Sequence, residues 1–122
     1  MTAAAETVEL TTIAAQAAID KLAVDPVAYD VSEILTITDV FLVVTGANER
    51  QVGAIVDAIV EALRQRDLRP LRREGDRENR WVLLDYSLLV VHVQLREVRE
   101  YFSLERLWRD CPQLQLDLDV RR

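Results

Sequence analysis

Cysteine is nearly absent from this 122-residue chain. Cys111 stands alone, which excludes an intrachain disulfide and any zinc site built from several cysteines. Histidine is as scarce, with His92 the single example. The three glycines form no glycine-rich fingerprint, and no Lys-Ser/Thr pair of the phosphate-loop type is present. No hydrophobic run approaches the ~20 residues needed to cross a bilayer. The opening residues, Met1-Thr-Ala-Ala-Ala-Glu6, lack the basic start and long apolar segment of a secretory signal. A cytoplasmic protein with no membrane partner is expected. Positive charge is also in deficit, 15 Lys and Arg against 21 Asp and Glu, for a net charge of −6. That balance argues against a binder whose affinity comes from phosphate contacts, so direct sequence-specific nucleic-acid binding is not expected. A basic protein partner is compatible with it.

Half of the residues are hydrophobic and 30% are charged, the composition of one globular domain with a real core. Leu10, Ile13, Ala14 and Ala17 fall at helical spacing and predict a helix over residues 7–22, preceded by a flexible tail over 1–6. Pro26 marks its exit, and a first strand is expected over 27–34. Asp39 then opens Val40-Phe-Leu-Val-Val-Thr45, a β-branched and aromatic run suited to a strand buried on both faces. Gly46 ends it. Asn48 with Gln51 three residues on has capping-box spacing. Val52, Ile55, Val56, Ile59, Val60 and Leu63 form the stripe of a helix that stops near Asp67, ahead of Pro70. A short basic edge strand over 71–74 completes a strand–helix–strand crossover, expected to be parallel and right-handed.

Residues 75–80 read as a charged loop. Two strands follow, 81–85 and 89–95, joined by a hairpin at Asp85-Tyr86-Ser87-Leu88. A last helix starts near Glu97 and breaks at Ser103. After Pro112 the segment Gln-Leu-Gln-Leu-Asp-Leu-Asp-Val alternates strictly, as an edge strand or an extended tail; the tail is preferred. The expected fold is a mixed five-stranded sheet flanked by helices, α/β or α+β, spanning 7–110 with tails over 1–6 and 111–122.

Chemistry is thinly represented. His92 could be a ligand or general base, since imidazole titrates near neutrality. The plainer reading, a half-buried strand histidine bonded to a neighbour, is preferred over catalysis, and an interface role stays open. With no second histidine and no cysteine nearby, neither a metal site nor nucleophilic catalysis is favoured. Thr45-Gly46-Ala47-Asn48 lies before a helix N-terminus, where amides could hold an anion, yet a plain capped turn explains it better. Asp117 and Asp119 share one face of an extended segment, and Asp39 and Asp85 sit at strand boundaries where aspartate commonly caps turns. All four are read as structural or surface residues. Phe102 reads as core. Trp81, Tyr86, Tyr101 and Trp108, interleaved with Arg99, Glu100, Glu105 and Arg106, look more like an interface than an interior.

Taken in order, several short motifs resemble the ribosomal silencing factor family, also called RsfS or Iojap. They are Asp39 with the strand into Thr45-Gly46, Arg50-Gln51-Val52, Glu74-Gly75, Trp81, Asp85, Val91-His92-Val93, Arg99, Tyr101 and Leu104-Glu105-x-Leu107-Trp108. The resemblance covers roughly residues 10–109. It implies a small homodimerising domain similar in fold to nucleotidyltransferases but without their catalytic carboxylates, and no enzyme activity or cofactor. It implies binding to the large ribosomal subunit through the basic ribosomal protein L-fourteen, steric blocking of small-subunit joining, and lower translation under nutrient limitation. The residues it marks for partner binding are Trp81, Asp85, Tyr86, His92, Arg99, Tyr101, Glu105 and Trp108. Departures are Asn48 in place of a serine, Ser87 where the hairpin commonly has glycine, and Tyr101-Phe102 in place of two tyrosines. The alternatives are a metal-dependent nucleotidyltransferase and an acidic dimeric adaptor for another basic protein.

Overall fold

The apolar stripe of the central helix meets the sheet as its spacing predicts: Val52, Ile55, Val56, Ile59 and Leu63 of α2 (Glu49–Arg64) are all fully buried. Each such side chain contributes roughly 1.5–3 kcal/mol by leaving water. Asn48 caps the helix, its side chain accepting from the Gln51 amide at 2.8 Å, while the Gln51 side chain accepts in turn from the Ala47 amide. Before it come α1 (Ala5–Asp20), β1 (Val24–Asp30) and β2 (Val40–Gly46); after it come β3 (Arg72–Gly75), β4 (Trp81–Asp85), β5 (Leu89–Leu95), α3 (Arg96–Phe102) and a 3₁₀ turn at Leu104–Arg106. The computed structural model describes residues 3–75 and 77–119. Met1 and Thr2 of the expected tail, Asp76 of the charged loop and Val120 of the alternating segment lie outside the described residues.

The sheet is mixed and five-stranded, in the order β1-β2-β5-β4-β3. β2 and β5 run parallel at its centre, and every other pairing is antiparallel. The apolar runs of β2 and β5 earn that central place, since both faces of both strands are covered. The crossover from β2 through α2 does run to a strand of the same direction, but β3 lands at the far edge, with β5 and β4 between. Val40, Leu42, Val44, Val82, Leu84, Val91 and Val93 form one face and pack against α1 and α2. Alanines at positions 14, 15 and 18 let α1 approach closely. Among the described residues no helix is long and apolar enough to cross a membrane.

β3 is shifted by one residue, taking Gly75 from the expected loop, and three larger departures from expectation stand beside it. β1 covers Val24–Asp30 rather than 27–34, and Pro26 lies inside it at an irregularity between Val24 and Val27. That is where an edge strand tolerates a missing N–H. Residues 5 and 6 are helical, not tail, because carboxylates distant in sequence cap α1. Asp39 accepts from the Ala4 amide at 3.1 Å and from the Thr7 hydroxyl at 3.3 Å, and Asp30 accepts from the Ala3 amide at 2.8 Å. Burial alone would raise the Asp30 pKa, but the bonds it accepts from Ser32 and from the Ala3 amide outweigh it and hold it below the usual value. Finally, the segment after Cys111 is docked. Asp30 donates its amide to Pro112 O, the Leu114 amide donates to Ala28 O, and Leu114, Leu116 and Leu118 pack against the core.

Candidate functional site

The second face of the sheet has no long helix over it. Strand alternation places Phe41 and Val43 of β2, Val90, His92 and Gln94 of β5, and Trp81, Leu83 and Asp85 of β4 on this side. Register lines them up: Phe41, Val90 and Asp85 form one row, Val43, His92 and Leu83 the next, and Thr45, Gln94 and Trp81 the third. The chain after β5 folds back over them. Ser103 adopts a left-handed conformation with φ of 48°, ends α3 where the sequence predicted a break, and turns the chain toward Trp108.

His92 is the hub of this face. It is only 6% exposed, and its Nδ1 accepts a hydrogen bond from Trp81 Nε1 at 3.0 Å. Its ring centroid lies 5.9 Å from those of Phe41, Trp81 and Trp108. Trp108 sits 4.2 Å from Phe41 in turn. The chain of rings continues outward from Trp81 to Phe102 at 5.0 Å and from Phe102 to Tyr101, also 5.0 Å away. Burial pushes the His92 pKa down to about 4, so the imidazole is neutral near pH 7. Gly75 on the neighbouring strand allows the backbone of β4 to come this close: with φ of +158°, a Cβ there would meet the Trp81 carbonyl at 2.8 Å.

Beside the hub lies a groove of about 460 Å³ with a floor that includes Phe41, Leu83, Val90 and His92 and a wall formed by Trp108. Ile37 and Leu71, 71% and 72% exposed, stand on its rim. Asp85 lines it as well, accepting from the Ser87 amide at 2.8 Å and pairing with Arg72 at 3.2 Å. A second cleft, about 750 Å³, opens at the ends of β2 and α3 around Arg99 and Glu105. Arg99 is buried there: Nη1 donates to Thr45 Oγ1 at 2.7 Å and to the Asp25 carbonyl, and Nε faces Glu105 at 3.3 Å.

Of the eight residues marked in the sequence, Asp85, His92 and Trp108 line one groove, with Trp81 bonded to His92 and Tyr101, 83% exposed, at the outer end of the ring chain. Arg99 and Glu105 form an internal pair behind it. Three corrections to a purely surface role follow. Tyr86 is buried in the helix-side core, His92 is buried under the aromatics, and the Arg99 guanidinium is spent on contacts within the chain. Phe102, expected in the core, is half exposed against Trp81 and Tyr101, because α3 is too short to tuck it under. Phe41 was not singled out from sequence, although its strand parity in a parallel pair with β5 is the signal that sets it beside His92. The carboxylates act as expected of structural groups where they can be followed: Asp39 caps α1 and Asp85 braces the hairpin. Among the described residues, no three His, Cys, Asp or Glu side chains gather as a metal site would require.

The fold and this face define a small mixed-sheet α+β domain with an aromatic groove on the side its long helices leave open. The chain belongs to the family described as ribosomal silencing factor during starvation, which it matches over residues 4–122, docked C-terminal segment included. It is similar to the ribosomal silencing factor RsfS of Bacillus subtilis (strain 168), 38% identical over 110 residues, covering 90% of this chain and 93% of that protein. It is also similar to the mouse protein named mitochondrial assembly of ribosomal large subunit protein 1, 31% identical over 74 residues, 58% of this chain and 32% of that one. A crystal structure of a protein from Chromobacterium violaceum superposes with a TM-score of 0.79 at 28% identity, covering 93% of this chain and 94% of that chain.

Proposed function

We propose that this protein is a non-catalytic translational repressor of the cytoplasm that occupies the large ribosomal subunit through ribosomal protein L-fourteen. By standing on the subunit-joining face it blocks the small subunit sterically and lowers translation when nutrients are scarce. The observation that carries this is the open aromatic groove on an acidic domain, within a family whose members bear the name ribosomal silencing factor. Buried aromatic anchors supply affinity at such surfaces, and the net charge of −6 steers a basic partner toward them. Trp81, Trp108 and Tyr101 serve as anchors, Asp85 and Glu105 offer carboxylates, and Arg99 shapes the face from inside, while Tyr86 supports the sheet from its other side. The exposed apolar rim at Ile37 and Leu71 suits a homodimer when the protein is free of the ribosome.

The test is sedimentation of the purified protein with separated ribosomal subunits, followed by a subunit-joining assay. Co-sedimentation with the large subunit alone, and reduced joining, is the expected result. No binding at near-physiological salt removes the proposal.

A further inference from the structure

Trp81 Nε1 can only donate, so the 3.0 Å contact fixes His92 Nδ1 as the acceptor. A neutral imidazole with an accepting Nδ1 carries its proton on Nε2. The same His92 lines the groove beside Phe41, Leu83 and Val90, which bring no side-chain donor; Thr38, Arg72, Ser87 and Trp108, which also line it, do carry donors. Buried atoms without a hydrogen-bond partner are found among the described residues at Tyr86, Gln94 and Glu105, and the ring nitrogens of His92 are not among them. One nitrogen is satisfied by Trp81; the other makes no hydrogen bond among the described residues, and the residue lines the groove. Recognition pockets are commonly built this way, with apolar walls and a few fixed polar groups that set specificity.

We infer that His92 is a specificity-determining donor of the groove, the one set among its apolar residues: Trp81 locks its tautomer, and Nε2–H donates to a main-chain carbonyl oxygen of the bound partner. The inference rests on the proposed binding of the large subunit and adds the acceptor chemistry the groove selects. A neutral carbonyl fits better than a carboxylate, because the domain is already acidic and the donor is an uncharged N–H. Trp81 therefore does more than fill space. Without it the proton could sit on either nitrogen, and the donor would be present only part of the time.

Isosteric substitution separates the two nitrogens. His92→Asn puts an acceptor near Nδ1 and leaves nothing at Nε2; His92→Gln puts an amide donor near Nε2 and leaves nothing at Nδ1. Binding to isolated large ribosomal subunits is expected to weaken about tenfold for His92→Asn, the scale of one hydrogen bond lost with its partner left unpaired, and much less for His92→Gln. Wild-type affinity in the Asn variant, or an equal loss in both, overturns the inference while leaving large-subunit binding in place. Failure of the wild-type protein to bind overturns the proposed function and this inference together. The tautomer has its own readout, since the chain has one histidine and hence one imidazole ¹⁵N pattern. An Nε2–H signature at pH 7 is expected, and an Nδ1–H signature refutes the assignment whatever the ribosome does.

Discussion

Arg99 on α3 and Thr45 at the end of β2 are joined by a 2.7 Å hydrogen bond across 54 positions of sequence. α3 is only seven residues long, and Arg99 is its one buried residue. A charged side chain thus does for this helix what an apolar stripe does for α2. It also faces Glu105 beyond the helix end, so one guanidinium ties together β1, β2, α3 and the 3₁₀ turn.

Replacing Arg99 by alanine should therefore cost about 2 kcal/mol of stability, mostly from stranding Glu105, whose Oε1 is already buried without a hydrogen bond. Lysine should recover little, because it lacks the planar fork that reaches three partners. Urea unfolding of the two variants checks this; a fully stable Arg99→Lys protein would show that charge alone suffices.

Protons should unfold the protein through His92. Its pKa falls from the ordinary 6.5 to about 4 on folding, through burial. Above pH 6.5 both states are neutral and nothing is lost. Between 6.5 and about 4 the unfolded chain takes up a proton that the folded chain refuses, so stability falls as pH drops, by a total on the order of 3 kcal/mol. In His92→Phe that component of the slope should vanish, which denaturation at a series of pH values would reveal.

The hairpin between β4 and β5 places Ser87 at φ of 72°, a conformation that charges a side-chain-bearing residue about 1 kcal/mol. Ser87→Gly should raise the melting temperature, since the amide that bonds Asp85 is backbone and stays. An unchanged or lower value would mean that glycine's extra freedom in the unfolded chain offsets the relief.

Tyr86 buries a hydroxyl with no partner among the helix-side apolar residues, and burial pushes its pKa up to about 12. Tyr86→Phe removes that unsatisfied group, so stability should hold or rise by up to about 1 kcal/mol. Large-subunit affinity should not move. A marked loss of affinity would place Tyr86 in the contact after all.

What could be read from the sequence was whatever declares itself locally. The 3.6-residue stripe of α2, the unbroken apolar runs of β2 and β5, and the break at Ser103 all appear where their patterns placed them. The frame of β1 did not, because Pro26 reads as a stop for α1 while its structural place is an irregularity inside an edge strand. The capping of α1 by Asp39 was invisible for a different reason: the donor and acceptor lie 35 residues apart, and no window covers both. Arg99 misled through its charge, since an arginine on a short helix resembles a solvated residue until Thr45 and Glu105 are seen around it. His92 was read either as a ligand or general base or as a strand histidine bonded to a neighbour. The bond from Trp81 matches the second reading, and its place on the groove floor could not be seen without the pairing of β4 and β5.

The docked segment beyond Cys111 bears on the order in which this molecule is assembled during synthesis. Gln16 in α1 exchanges two hydrogen bonds with Asp119, at 2.9 and 2.7 Å, across 103 residues. Leu114, Leu116 and Leu118 pack against a core whose other members have all been translated earlier. Such distant pairings close late, so a nascent chain would carry an unfinished outer edge on β1 until the leucines arrive. A chain halted between Cys111 and Leu114 should then be the form most readily captured by chaperones.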